Sequence, residues 1–198
     1  MSVGSAATGL RGRAVRLTGA ALAGGLSAFA YAPFELFPLS ILSLALLLRL
    51  LLGATRARGG FALGLAWGLG TFLAGVSWLY ISLNRYGGMA PPLAGLAVVL
   101  FCAYLALFPA LAASLFVRWR AWLSGRWSLS LLFAALWLLS ELLRSRLFTG
   151  FPWLAVGYSQ TVPSPLAGYF PLLGVFGVGF LAAWLAAWLV LGQWRQQF

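Results

Sequence analysis

Six long apolar runs leave this chain few ways to fold. They cover approximately Leu17–Ala32, Leu36–Leu52, Phe61–Ile81, Pro91–Val117, Ser128–Phe148 and Phe170–Leu191. Each is near the ~20 residues an α-helix needs to cross a hydrocarbon core. A backbone in lipid must satisfy its own polar groups, and helices do so within each segment. The first two runs are the shortest. They are joined by APFELFP, Ala32 to Pro38, whose two prolines interrupt a helix, so a tight helical hairpin is expected there. Only 8% of the 198 residues are charged, against ~25% in a soluble domain, so too little polar side chain remains to coat a water-facing globule. The expected fold is an all-α integral membrane protein, a polytopic bundle of about six transmembrane helices. Residues 1–198 are read as a single membrane domain with no soluble domain.

The charges orient that bundle. All thirteen basic residues are arginines, the acids are Glu35 and Glu141, and the net charge is +11. Arg11, Arg13 and Arg16 precede the first run; Arg49, Arg56 and Arg58 lie at or after the end of the second. Arg118, Arg120 and Arg126 follow the fourth and Arg195 the sixth. With both termini cytoplasmic, ten arginines fall inside and only Arg85, Arg144 and Arg146 outside, as the positive-inside rule requires. The arginines punctuate apolar segments and form no basic stripe interleaved with exposed aromatics, which argues against nucleic acid as a partner. The basic start, short apolar run and AFA at Ala28–Ala30 also resemble a secretory signal and its cleavage site, but five further spans would anchor the chain regardless.

Small residues suggest how the helices pack. Gly60, Gly64, Gly68, Thr71 and Gly75 recur at spacings of three and four on one helix face, and Ala20, Gly24 and Ala28 repeat the device in the first run. Such stripes let a neighbouring helix approach closely.

The outer end carries the functional signal. Glu141, Arg144 and Arg146 close the fifth run, and Glu141 and Arg144 are spaced to pair along one helix face. A pairing of one arginine leaves the other available for an anionic group such as a lipid phosphate. TGFPWLAVGYSQT, Thr149 to Thr161, follows: a helix-breaking loop far richer in aromatics, glycine and amides than a connector needs. SWLYISLNRYGGM, Ser77 to Met89, ends the third run at the same end, where Trp78, Tyr80 and Tyr86 fit the aromatic belt. Glu35 also comes to this face.

Covalent chemistry within these residues is not expected. Cys102 is alone in an apolar run, with no histidine or lysine anywhere to activate it. The serines lack a base for the same reason, and no catalytic residue, cofactor site or metal site is predicted. A small transporter is a rival reading, but it needs polar groups lining a pathway at the bilayer midplane, and the run middles hold mostly Leu, Ala, Gly and Phe.

FAYAPFELFPLSILSLALLL, GLAWGLGTFLAGVSWLYISLNRYGGM, SELLRSRLFTGFPWLAVGYSQT and PLAGYFPLLGVFGVGFLAAWL, in this order, resemble the apolipoprotein N-acyltransferase family. The resemblance implies a bacterial inner-membrane enzyme of lipoprotein maturation. It moves an acyl chain from a membrane phospholipid to the N-terminal amine of a diacylglyceryl-cysteine lipoprotein. It also implies a periplasmic nitrilase-like domain, inserted ahead of the final span, whose Glu-Lys-Cys triad forms a thioester intermediate. This chain has no lysine, so the triad is not within it and Cys102 is not that nucleophile. A truncated product, half of a split enzyme with a separately encoded nitrilase-like partner, and a stand-alone lipid-binding scaffold are the competing expectations. By the resemblance, Arg144 and Trp153 match functionally important positions near the lipid-access route. Gly150, Phe151, Pro152, Tyr158 and Gln160 match the motif in a shaping or docking role. With Trp78, Tyr80 and Glu141 they make up the predicted lipid-substrate or docking site.

Overall fold

Prolines and glycines set several of the helix boundaries in the computed structural model, which describes residues 3–161 and 163–194. The helices are α1 (Val3–Ser27), α2 (Pro38–Leu52), α3 (Ala57–Gly75), the short α4 (Trp78–Ile81), α5 (Pro91–Trp119), α6 (Arg126–Arg144) and α7 (Phe170–Trp194). Pro38 and Pro91 open α2 and α5, where a missing N–H costs nothing. Gly174, at φ 62°, breaks α7 one turn after it begins. The described residues contain no strand. Arg195 lies outside them.

Among the described residues, three helical stretches are long and apolar enough to cross a membrane: Pro91–Trp122, Arg126–Arg144 and Pro165–Gly192. A fourth crossing is possible if α3 and the Trp78–Tyr86 segment, bent by 51° from each other, form one broken span. The third apolar run is therefore not one straight helix. α3 stops at Gly75, and the chain restarts in α4 and a π-helical turn at Ser82–Tyr86. α1 begins well before the apolar run, so its first turns carry the arginines. α2, at 15 residues, is the short one.

Around the bundle, neighbours run α1, α3, α5, α6, α7, α2 and back to α1. α3 packs tightest because its glycines remove side chains where backbones meet. A Cβ on Gly60 would lie 2.7 Å from the Ala113 carbonyl oxygen, and one on Gly64 would lie 2.6 Å from that of Pro109. The small-residue stripe then fans out. Gly68 still faces α5, but the Thr71 hydroxyl donates to the Gly24 carbonyl on α1 (3.1 Å), and Gly75 faces the Leu154 side chain. One mid-bundle polar chain is paired across three helices: the Trp67 indole donates to Ser43 Oγ (2.8 Å), which donates to the Ala23 carbonyl (2.7 Å).

These contacts sort the connections between two ends. The α1–α2 turn, the α3–α4 break and the α6–α7 loop share one end. The α2–α3 turn and the start of the α5–α6 connection share the other, where Arg120 donates to the Leu51 and Ala54 carbonyls (2.7 and 2.5 Å).

Candidate functional site: an aromatic groove braced by Glu141 and Arg144

The chain leaves α6 through a strained turn. Phe148, Thr149 and Gly150 have successive φ values of 51°, 75° and 78°, and Leu154 has 59°. Only glycine adopts this left-handed region readily, so the surroundings must hold the others there. Arg144 supplies much of that hold. Its Nη1 donates to the carbonyls of both Phe151 and Trp153, each at 2.6 Å, while its own carbonyl accepts from Phe151 N (2.9 Å). The guanidinium carbon lies 5.1 Å from the Phe72 ring centroid, and the residue is 3% exposed.

One turn back, Glu141 treats the same loop in the complementary way. Its Oε1 accepts from Val156 N (2.8 Å) and from the Trp137 indole (3.1 Å); its Oε2 is buried without a hydrogen-bond partner. The spacing of these two residues predicts an ion pair, yet no direct pair forms between them. A loop lacks partners for its backbone groups, and buried ones must be satisfied. The cation takes two loop carbonyls and the carboxylate takes a loop N–H, so both ends of the PWLAV segment are pinned to α6. Arg144 Nη1 is committed to the protein, whereas Arg146, Arg85 and Glu35 are exposed.

Gln160 lies deeper. It is fully buried, donating to Ser40 Oγ and Ser159 Oγ (2.9 Å each) and accepting from Ser164 Oγ (2.8 Å). This hydroxyl–amide network fastens the end of the loop to the first turn of α2.

Between these anchors opens a groove of about 750 Å³, lined by Phe29, Tyr31 and Phe34 from the α1–α2 turn, Gly75 and Trp78 from the α3–α4 break, and Pro152, Trp153, Leu154 and Tyr158 from the loop. That volume is in the range of ligand sites. The Trp78 and Trp153 rings stand 5.5 Å apart and Phe29 and Phe34 4.8 Å apart. Phe151 turns inward onto Phe101 (5.0 Å). Tyr31 Oη donates to the Leu154 carbonyl (2.9 Å), joining two walls. Gly150 sits where a Cβ would collide with the Ser145 carbonyl, and Tyr80 is exposed outside the groove lining. The walls suit an apolar chain, and the tryptophans at the rim suit an interface where one side is wet.

Sequence reasoning missed Phe29, Tyr31, Phe34 and Leu154. Only the aromatic density of FAYAPFELF hinted that the first turn contributes to the site.

Residues 23–188 match the family model described as apolipoprotein N-acyltransferase N-terminal domain. Among curated proteins, apolipoprotein N-acyltransferase of Nitrosomonas europaea is 50% identical over 88% of this chain and 35% of its own length. That of Ralstonia nicotianae is 52% identical over 89% of this chain and 34% of its own, and that of Chromobacterium violaceum 46% over 89% and 34%. The chain thus spans about a third of the length of these relatives.

Proposed function

The chain belongs to the apolipoprotein N-acyltransferase family, and on that premise we propose that it is the lipid-handling membrane domain of such an enzyme. In this reading six helices, α1, α2, α3 with α4, α5, α6 and α7, cross the bacterial inner membrane, α1 and α2 as a hairpin, with both termini cytoplasmic. The closed order of neighbours and the alternation of the connections between two ends support six crossings. The weight of arginine at one end supports the orientation.

The groove at the outer end admits an acyl chain of a membrane phospholipid between Trp78 and Trp153 and holds its ester near the interface. The same rim receives the diacylated lipoprotein. Burial of apolar chain gains ~25 cal/mol per Å² where it leaves water, and inside the bilayer the gain is shape and position instead. Arg144 and Glu141 act through the loop backbone, Gly150 and Pro152 shape its turn, and Gln160 anchors its far end. Trp153, Tyr158, Phe151, Trp78 and Tyr80 supply the aromatic surface. The 198 residues contain no lysine, so the Glu-Lys-Cys chemistry is assigned to a nitrilase-like domain outside them, docking over this end. The carrying observation is the 750 Å³ apolar groove whose loop wall is pinned by two buried ionisable residues of α6.

Cells depleted of their own N-acyltransferase, expressing this chain with a nitrilase-like domain, test the role. Mass spectrometry of lipoprotein N-terminal peptides should show the third acyl group only when both parts are present. Folded, membrane-inserted chain that gives no acylation with any such domain would overturn the reading.

A further inference from the structure

At the opposite end of the bundle lies a second cavity, of about 630 Å³, between α1 and the α2–α3 turn. Arg13, Arg16, Arg56 and Arg58 line it, together with Thr55 and the apolar residues Leu17, Ala62 and Leu63. Of these guanidinia, only Arg16 is committed, donating to the Leu50 and Gly53 carbonyls (2.6 and 3.2 Å) at the C-terminal end of α2. Arg13, Arg56 and Arg58 are exposed, and their guanidinium groups make no hydrogen bond or ion pair among the described residues. α3 starts here with no side-chain cap on its first N–H groups. Both acidic side chains of the protein, Glu35 and Glu141, lie at the other end.

Orientation of the bundle requires arginines near this end, but it does not require four around one cavity. Like charges held this close repel, and a countercharge from outside the chain relieves them. We infer that this cavity binds the phosphodiester of an anionic phospholipid, a second lipid site distinct from the outer groove. Guanidinium donors match phosphate oxygens bidentately, and the uncapped start of α3 adds oriented N–H groups. Leu17, Ala62 and Leu63 favour a lipid over free phosphate, since they give the first acyl carbons an apolar wall. This site does not depend on the outer groove or on the acyl-transfer reading.

The test is thermal unfolding of the full chain in neutral detergent, titrated with phosphatidylglycerol, with phosphatidylcholine or with inorganic phosphate. Phosphatidylglycerol should raise the midpoint saturably, and phosphatidylcholine should not. Arg13→Gln with Arg58→Gln should weaken that effect by about tenfold or more, from ~1 kcal/mol per arginine facing an anionic lipid. Arg11→Gln with Arg118→Gln removes the same charge outside the cavity and should leave it within twofold. Neither Arg13 nor Arg58 side chain donates to a protein carbonyl, so folding should survive; if the double variant does not fold, Arg13→Gln alone against Arg11→Gln alone provides the same comparison with one charge removed from each. Equal stabilisation by both lipids, or equal loss in both double variants, would overturn the site. Inorganic phosphate matching phosphatidylglycerol would overturn the lipid assignment.

Discussion

Tyr31 donates its hydroxyl proton to the carbonyl of Leu154 across 2.9 Å, joining residues 123 positions apart. Leu154 is one of the few non-glycine residues at positive φ, so this bond fastens the first interhelical turn to a strained point of the last loop. Tyr31→Phe keeps the ring in the groove and deletes only the donor. The expected cost is about 1–2 kcal/mol, from losing the bond and leaving a part-buried carbonyl unpaired. Denaturation of the purified chain in detergent measures it; an unchanged midpoint would mean that the walls are held by packing alone.

Glu141 and Arg144 should behave as supports of one loop rather than as a pair. Glu141→Ala strands Val156 N and the Trp137 indole and should destabilise by about 2–4 kcal/mol. Glu141→Gln retains an acceptor at the Oε1 position and should cost less than half as much. Limited proteolysis within residues 148–161 should report the same order. Equal sensitivity of both variants would show that the carboxylate charge matters and its hydrogen bonds do not.

Arg144→Ala and Trp153→Ala should each lower lipoprotein acylation about tenfold or more when the chain works with its nitrilase-like domain, by unseating the loop and by opening its rim. Thr161→Ala, an exposed change in the same loop, should leave activity within twofold. Ser164→Ala would not serve as the neutral comparison, because Ser164 is buried, bonded to Gln160 and capping Leu166 N. Similar activity in all three variants would remove the site.

The α3–α5 contact predicts a contrast between glycines. Gly64→Ala places a methyl against the Pro109 carbonyl and Ala113 and should cost about 1–3 kcal/mol of overpacking. Gly95→Ala, on α5 with open space around it, should be neutral or slightly stabilising. Unfolding midpoints of the two variants decide the matter.

These positions show where sequence reading succeeds. The apolar runs mark α2, α5 and α7 to within a few residues because proline and arginine punctuate them, and Gly60, Gly64 and Gly68 do form one packing face. Thr71 and Gly75 meet other partners, Gly24 on α1 and the Leu154 side chain, and the break after Gly75 falls in a run with no proline to announce it. The family resemblance singled out Arg144 and Trp153, and the structure brings both to the loop, Arg144 as an anchor of its backbone and Trp153 on the groove wall. It could not show that Glu141 bonds to Val156 N, since a backbone donor leaves no mark in residue type. Nor could it bring Tyr31 to Leu154, which follows only from the closed order of helices.

The most direct test of the account uses phospholipid carrying a photoreactive diazirine near the middle of one acyl chain, with the chain reconstituted in nanodiscs. Adducts mapped by mass spectrometry should concentrate on Phe29, Phe34, Leu154 and Trp153, and Ala74→Trp, which fills the groove, should abolish them while leaving labelling of the outward faces of α5 and α7 intact. Labelling spread evenly over the lipid-facing helices, unchanged by Ala74→Trp, would contradict the claim that this groove holds a lipid.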